Sequence, residues 1–199
     1  MSNELKLRIF CTGVGGQGTL LATRLLGEAA MEAGYNVQVS ETHGMAQRGG
    51  VVESTVVLGS LASPIISLGE ADIVIGFEAL ETFRSLNRCH DNTLVVMNTG
   101  INVPYTVATG QAKYPPVARM LELIQGQVGR LIALEANELA GQVGSALAVN
   151  MVLLGALLST DRVPFKADSF IRIIQSRTPS KHLETNLKAF HLGRTAALA

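Results

Sequence analysis

Leu5-Lys6-Leu7-Arg8-Ile9-Phe10-Cys11-Thr12 runs straight into Gly13-Val14-Gly15-Gly16-Gln17-Gly18, and Thr19 to Ala33 follows with leucines and alanines at helical spacing. The first segment reads as a buried strand and the third as a helix with Leu21, Leu25 and Leu26 on one side, stopped by Gly34. Asn36 to Ser40 reads as a second strand. A glycine turn between a strand and a helix, followed by another strand, is a βαβ unit. Gly13 permits a tight turn, Gly15 lets a bound group approach the backbone, and Gly18 lets the helix pack closely on the sheet. The helix start presents unpaired N–H groups and the positive end of a dipole, which favour phosphate or carboxylate. A close-packed turn with no ligand would carry the same glycines, so the pattern alone leaves both readings open.

The same grammar continues outward. Val51 to Leu58, Ala71 to Phe77, Thr93 to Asn98 and Arg130 to Ala133 read as further strands, the middle two apolar enough to be covered on both faces. Between them lie expected helices over Ala79–Cys89, with Leu80, Phe83 and Leu86 inward, and from Tyr114 to about Gln127. Asn137–Gly144 and Ser145–Ser159 are helical, the second almost wholly apolar and so deeply buried. Phe165 to the end reads as two amphipathic helices divided by Arg177-Thr178-Pro179-Ser180, the last with Leu183, Leu187 and Phe190 on one face. Alternating strands and helices predict an α/β, Rossmann-like fold: a mostly parallel sheet, helices on both faces, and a helical C-terminal part. The 199 residues are expected to form a single domain, 1–199.

Composition narrows the function. Sixteen basic residues balance sixteen acidic ones, so no field invites nucleic acid or an anionic membrane. No run approaches transmembrane length and the N-terminus lacks a signal-peptide core, so a cytoplasmic location is expected. The combination of 16% charged residues and positive mean hydropathy points to apolar surface covered by a partner. Cys11 and Cys89 stand far apart outside any CxxC pattern; Cys11 reads as a small core residue. Thiolates of this chain alone would not build an iron–sulfur cluster or a structural zinc site, and no metal site is expected.

The densest set of functional side chains is Glu41-Thr42-His43-Gly44-Met45-Ala46-Gln47-Arg48-Gly49-Gly50, between two strands. Loops held by rigid strands commonly carry binding and catalytic groups. Glu41, His43 and Arg48 are the candidate catalytic residues. Glu41 also lies about twenty residues past the glycine turn, where a dinucleotide-binding dehydrogenase places a ribose-binding acid. Against an NAD(P)-binding dehydrogenase, the remaining chain is short for a substrate domain and no separate catalytic pair is visible. His90, His182 and His191 stand singly, Asn150 reads as a satisfied buried amide, and Tyr114-Pro115 as an ordering element.

Several motifs in order carry a family resemblance: Gly13 to Gly18, Glu41 to Gly50, Gly69-Glu70-Ala71-Asp72, Gly76-Phe77-Glu78-Ala79-Leu80-Glu81, Asn150 to Gly155, and late Asn186, Ala189-Phe190 and Gly193. Together they resemble, over essentially the whole chain, the gamma-type domain of 2-oxoacid:ferredoxin oxidoreductases, most of all the small (beta) subunit of the indolepyruvate type. Pyruvate and 2-oxoglutarate relatives usually carry a Tyr-Gly-Pro-Glu version before the Arg-Gly-Gly, so His43, Met45 and Gln47 favour arylpyruvates; a gamma subunit of those relatives is the alternative. Val51 and Glu53 depart from the small residue and serine often found in the family.

The resemblance implies an oxidative decarboxylation shared with a large partner, EC 1.2.7.-, with this chain inactive alone. Thiamine diphosphate and iron–sulfur clusters would sit on that partner, coenzyme A would be the co-substrate, and ferredoxin would take the electrons through the complex. The residues expected to form an anion-friendly binding rim are Gly13, Gly15, Gly16, Gln17, Gly18, Gln47, Arg48, Gly49 and Gly50.

Overall fold

In the computed structural model, which describes residues 5–44 and 50–198, six strands form one sheet in the order β2-β3-β1-β4-β5-β6. They are β1 (Lys6–Val14), β2 (Val37–His43), β3 (Val51–Gly59), β4 (Ala71–Gly76), β5 (Cys89–Asn98) and β6 (Arg130–Leu134). β1, β4, β5 and β6 pair parallel, whereas β3 pairs antiparallel with both β1 and β2. Five strands therefore point one way and β3 alone points back, so the expected mostly parallel sheet is present.

The helices are α1 (Thr19–Glu32), α2 (Ala79–Arg84), α3 (Tyr105–Ala108), α4 (Val117–Gln125), α5 (Ala136–Gln142), α6 (Val149–Leu157), α7 (Ala167–Arg177) and α8 (Ser180–Ala196). Alternate residues of the strands feed two cores. Ile9, Cys11, Ile73 and Val96 face a large core shared with α1, α5, α6, α7 and α8. Phe10, Val74, Val95 and Met97 face a smaller one under α2 and α4. Side chains that alternate across a strand make this two-sided burial automatic.

Every residue of α6 is buried, because it lies between the sheet and α8. Close approach of those two helices depends on two glycines. A Cβ at Gly155 would lie 2.0 Å from the Phe190 carbonyl oxygen, and one at Gly193 would lie 1.9 Å from that of Val152. Phe165, Phe170 and Phe190 stack beside this contact, with centroids 6.1 and 5.7 Å apart. The apolar face expected for α8 is confirmed: Phe190 is buried, and Leu183 and Leu187 pack against the core.

Four local expectations change. The helix expected over Ala79–Cys89 ends at Arg84 and tightens into a 3-10 turn over Ser85–Arg88, and β5 already begins at Cys89. Thr93 holds that early start: its Oγ1 accepts from His90 N–H at 2.8 Å and donates to the Ala71 carbonyl at 2.6 Å. The helix expected from Tyr114 begins at Val117, after Pro116 at the cap position, and the apolar helix expected from Ser145 opens as a 3-10 turn over Ala146–Ala148. Leu21, expected inward, is 39% exposed, since the buried stripe of α1 runs through Ala22, Leu25, Leu26, Ala29 and Ala30 and leaves Leu21 beside it. Among the described residues, no helix is long and apolar enough to cross a membrane.

Candidate functional site

The chain runs from β1 to one side of the sheet and then returns to place β4 on β1's other side. That makes the carboxyl ends of β1 and β4 the topological switch point, where open α/β sheets form a crevice. The glycine turn sits at this crevice. Gly13 packs against β4's exit: a Cβ there would lie 2.7 Å from both Phe77 Cβ and Gln17 Oε1. Gly16 and Gly18 adopt φ of +98° and +81°, which side chains other than glycine's disfavour. Gly18 packs against Asn150 of α6, not against the sheet as expected.

Gln17 spans the crevice. Its Oε1 accepts from the Val14 N–H at 2.7 Å, and its Nε2 donates to the Phe77 carbonyl at 3.2 Å. The same carbonyl accepts from Asn98 Nδ2 at 3.1 Å. Asn98 Oδ1 in turn accepts from the N–H groups of Gly100 and Ala136, at 3.0 and 3.1 Å. A chain of amides thus locks the carboxyl ends of β1, β4 and β5 together and ties them to α5. The Gln17 side chain, expected to bind a ligand, is committed to holding its own turn.

The second motif arrives at the same place by a different route. β2 and β3 form a hairpin in which Glu41, Thr42 and His43, expected in the loop, extend β2 by pairing with Ser54, Glu53 and Val52; the connection is residues 44–50, and Val51 pairs with Val14. Gly15 N–H donates to the Gly50 carbonyl at 3.0 Å, while Gly44 N–H donates to the Val51 carbonyl at 2.8 Å. The glycine turn and the end of the Arg-Gly-Gly run are therefore hydrogen-bonded neighbours. Gln47, Arg48 and Gly49 lie outside the described residues. Backbone placement puts His43 at the end of β2, opposite Val52.

Glu41 lies elsewhere than a dinucleotide fold would need. It pairs with Ser54 of β3, and Ser54 pairs with Cys11 of β1. An acid on the neighbouring strand would be one strand spacing away; Glu41 is two, about 10 Å. The interposed β3 removes the geometric basis of the dehydrogenase alternative.

Beside the crevice is a carboxylate that sequence reading did not single out as a site residue. Glu78, 1% exposed, caps α2 by accepting from Glu81 N–H at 2.9 Å. Its other oxygen accepts from Asn102 N–H at 3.1 Å and from the Tyr114 hydroxyl at 2.5 Å. Tyr114 oxygen also accepts from Leu80 N–H. Burial and then the Glu78 carboxylate hold the Tyr114 phenol well above its usual range. Glu81 is raised by burial, against the pull of Arg84 2.7 Å away. The clue in the sequence was Glu78-x-x-Glu81 at a helix start, a spacing suited to a cap.

The cysteines do not fit a cluster. Cys11 belongs to the large core and Cys89 packs against the smaller one, on the other side of the sheet, and burial raises their thiols to about 12 and about 11. Among the described residues no group of three or more His, Cys, Asp or Glu is placed to hold a metal ion.

The chain belongs to the pyruvate ferredoxin/flavodoxin oxidoreductase family, which it matches over residues 8–196. It is 37% identical to the indolepyruvate oxidoreductase subunit IorB of Methanothermobacter thermautotrophicus, covering 97% of this chain and 98% of that one. It is 39% identical to the IorB subunit of Archaeoglobus fulgidus, covering 98% and 97%. Its fold matches the gamma subunit of keto/oxoacid ferredoxin oxidoreductase from Geobacter sulfurreducens, with a TM-score of 0.70 at 23% identity over 96% and 98% of the two chains.

Proposed function

We propose that this chain is the small subunit of an indolepyruvate-type 2-oxoacid oxidoreductase (EC 1.2.7.8), inactive alone and supplying one wall of a site completed by a large subunit. The activity would convert an arylpyruvate, coenzyme A and oxidised ferredoxin to an aryl-acetyl-CoA, carbon dioxide and reduced ferredoxin. The observation that carries the reading is the Gly15–Gly50 hydrogen bond, which makes one rim of two motifs over 30 residues apart in sequence. The full-length similarity to indolepyruvate oxidoreductase subunits supports the substrate class.

Thiamine diphosphate and iron–sulfur clusters of the partner would carry the bond cleavage and electron transfer. This chain's residues have a narrower task. The open backbone above Gly16, the start of α1 and the Arg48-Gly49-Gly50 segment would receive an anionic group of coenzyme A or of the 2-oxoacid. Arg48 suits a planar, two-pronged partner, while Gln17 and Asn98 keep the rim rigid without touching the ligand. Glu41 and His43 remain the candidates for contact at the junction with the partner.

The test is to co-express the chain with a large thiamine-dependent, cluster-binding subunit and assay ferredoxin reduction with coenzyme A. Indolepyruvate should be turned over in preference to pyruvate and 2-oxoglutarate, and neither subunit should be active alone. A preference for pyruvate or 2-oxoglutarate would move the chain to the other branch of its family. A large subunit working alone at the complex's rate would make this chain an assembly factor only.

A further inference from the structure

The amino-terminal edge of the sheet, at the far end from the glycine turn, carries a cavity of about 440 Å³. It is built from the end of α6, the start of α7, the segment joining them and the end of α8. Arg162, between two residues that line it, ties this corner to the sheet: Nη2 donates to the carbonyls of Asp72, at the start of β4, and Asn92, near the start of β5, at 3.3 and 2.8 Å. Helix ends of both signs meet here. α7, of 11 residues, arrives by its positive end and has no side-chain cap, while α6 and α8 arrive by their negative ends.

The charged side chains around the cavity are also of both signs. Lys166 and Arg194 line it together with Asp161 and Asp168, and none of the four forms an ion pair among the described residues. Arg194 is the telling one. Its Nε is closed off from solvent and has no hydrogen-bond partner. A guanidinium that has lost part of its hydration and gained no counter-charge favours an anion at its remaining nitrogens. The neutral donors nearby are already spent: the Ser159 and Thr160 hydroxyls donate to the Ala156 and Leu157 carbonyls, each at 2.7 Å. The groups left to meet a ligand are therefore two cations and two carboxylates.

Apolar surface completes the cavity. Leu158, Val163 and Phe165 belong to the large core and show an edge here, and Leu198 stands exposed at the mouth. The volume is that of a small-molecule site.

We propose that this cavity binds an α-amino acid with a large apolar side chain. Its carboxylate lies on Arg194, Lys166 and the start of α7, its ammonium on Asp161 and Asp168, and its side chain against Phe165 and Leu198. A simple anion would meet two carboxylates and a simple cation would meet Arg194 and Lys166, so only a ligand carrying both charges satisfies the whole lining. The site lies at the opposite end of the sheet from the proposed rim and rests on neither the proposed activity nor a partner subunit.

Calorimetric titration of the full chain tests it, with phenylalanine, leucine, alanine, 3-phenylpropanoate and phenethylamine as probes. Phenylalanine or leucine should bind about tenfold tighter than alanine, which lacks the large side chain, and than the other two, which lack one charge each. Arg194→Gln should weaken that binding about tenfold and bring the amino acid level with phenethylamine. Asp161→Asn combined with Asp168→Asn, both at exposed positions that leave the fold intact, should weaken it about tenfold and bring the amino acid level with 3-phenylpropanoate. The proposal is overturned if neither phenylalanine nor leucine binds below about 5 mM, if a singly charged probe binds as well as the amino acids, or if the double variant binds like the parent. Dimerisation that the same substitutions abolish, with no amino acid bound, would give the four charges to a second copy of the chain and overturn it as well.

Discussion

Gly15 donates its backbone N–H to the carbonyl of Gly50 at 3.0 Å, and this one bond fastens the glycine turn to the hairpin loop between β2 and β3. It can form because β3 lies beside β1, with Val51 opposite Val14. Were β2 the neighbour of β1, the loop would be a strand spacing further off, about 5 Å.

The turn's own rigidity is open to a simple substitution. Gly13→Ala would place a methyl 2.7 Å from Phe77 Cβ and Gln17 Oε1. Overpacking of that kind costs about 1–3 kcal/mol, measurable as a lowered midpoint in denaturant unfolding. Gln17→Leu should cost about 1–3 kcal/mol, since it unpairs the Val14 N–H.

The α6–α8 contact should be less forgiving. Gly155→Ala and Gly193→Ala each push a methyl to within 2.0 Å of a backbone oxygen, which cannot swing away as a side chain can. Each should cost about 3 kcal/mol or more. Gly141→Ala in α5 is the control: a Cβ there meets nothing within 4 Å, so helix propensity should make it neutral or stabilising by up to about 1 kcal/mol.

The α/β alternation, both faces of helices and the apolar face of α8 were all legible, because each follows from local periodicity or a glycine. The position of β3 was not. Val51 to Leu58 reads as a strand, but which strand it joins is decided by pairing across the sheet. The rim was legible as two motifs; their bond was not. Gln17 was read as a ligand contact because an amide in a glycine turn has the chemistry for it, and only the structure shows both its ends occupied.

Stability should fall in alkali, and the direction follows from proton counting. Unfolded thiols and the phenol ionise at their ordinary 9.0 and 10.0, while folded Cys11, Cys89 and Tyr114 hold their protons to higher pH. Above pH 9.0 the unfolded chain therefore binds fewer protons, so the stabilisation present at lower pH is progressively lost. Unfolding midpoints measured from pH 7 upward should decline beyond pH 9, and Cys11→Ala should flatten the decline even if it lowers the starting value.

Tyr114→Phe isolates the buried carboxylate. It removes one donor to Glu78 and the acceptor for Leu80 N–H, leaving Glu78 with the Asn102 and Glu81 N–H groups. A loss of about 1–3 kcal/mol is expected. In the parent chain, the Tyr114 phenolate should be seen by ultraviolet absorbance only as the protein unfolds.

The central proposal is that Arg48 takes part in the reaction and is more than a fastening for a large subunit. Arg48→Lys in the assembled complex tests it most directly, with ferredoxin reduction at saturating indolepyruvate and coenzyme A measured beside the subunit dissociation constant. Loss of two-pronged binding should lower turnover about tenfold or more, with subunit affinity within about threefold of the parent. Turnover equal to the parent's at saturating substrate would contradict the claim and leave the loop a structural one.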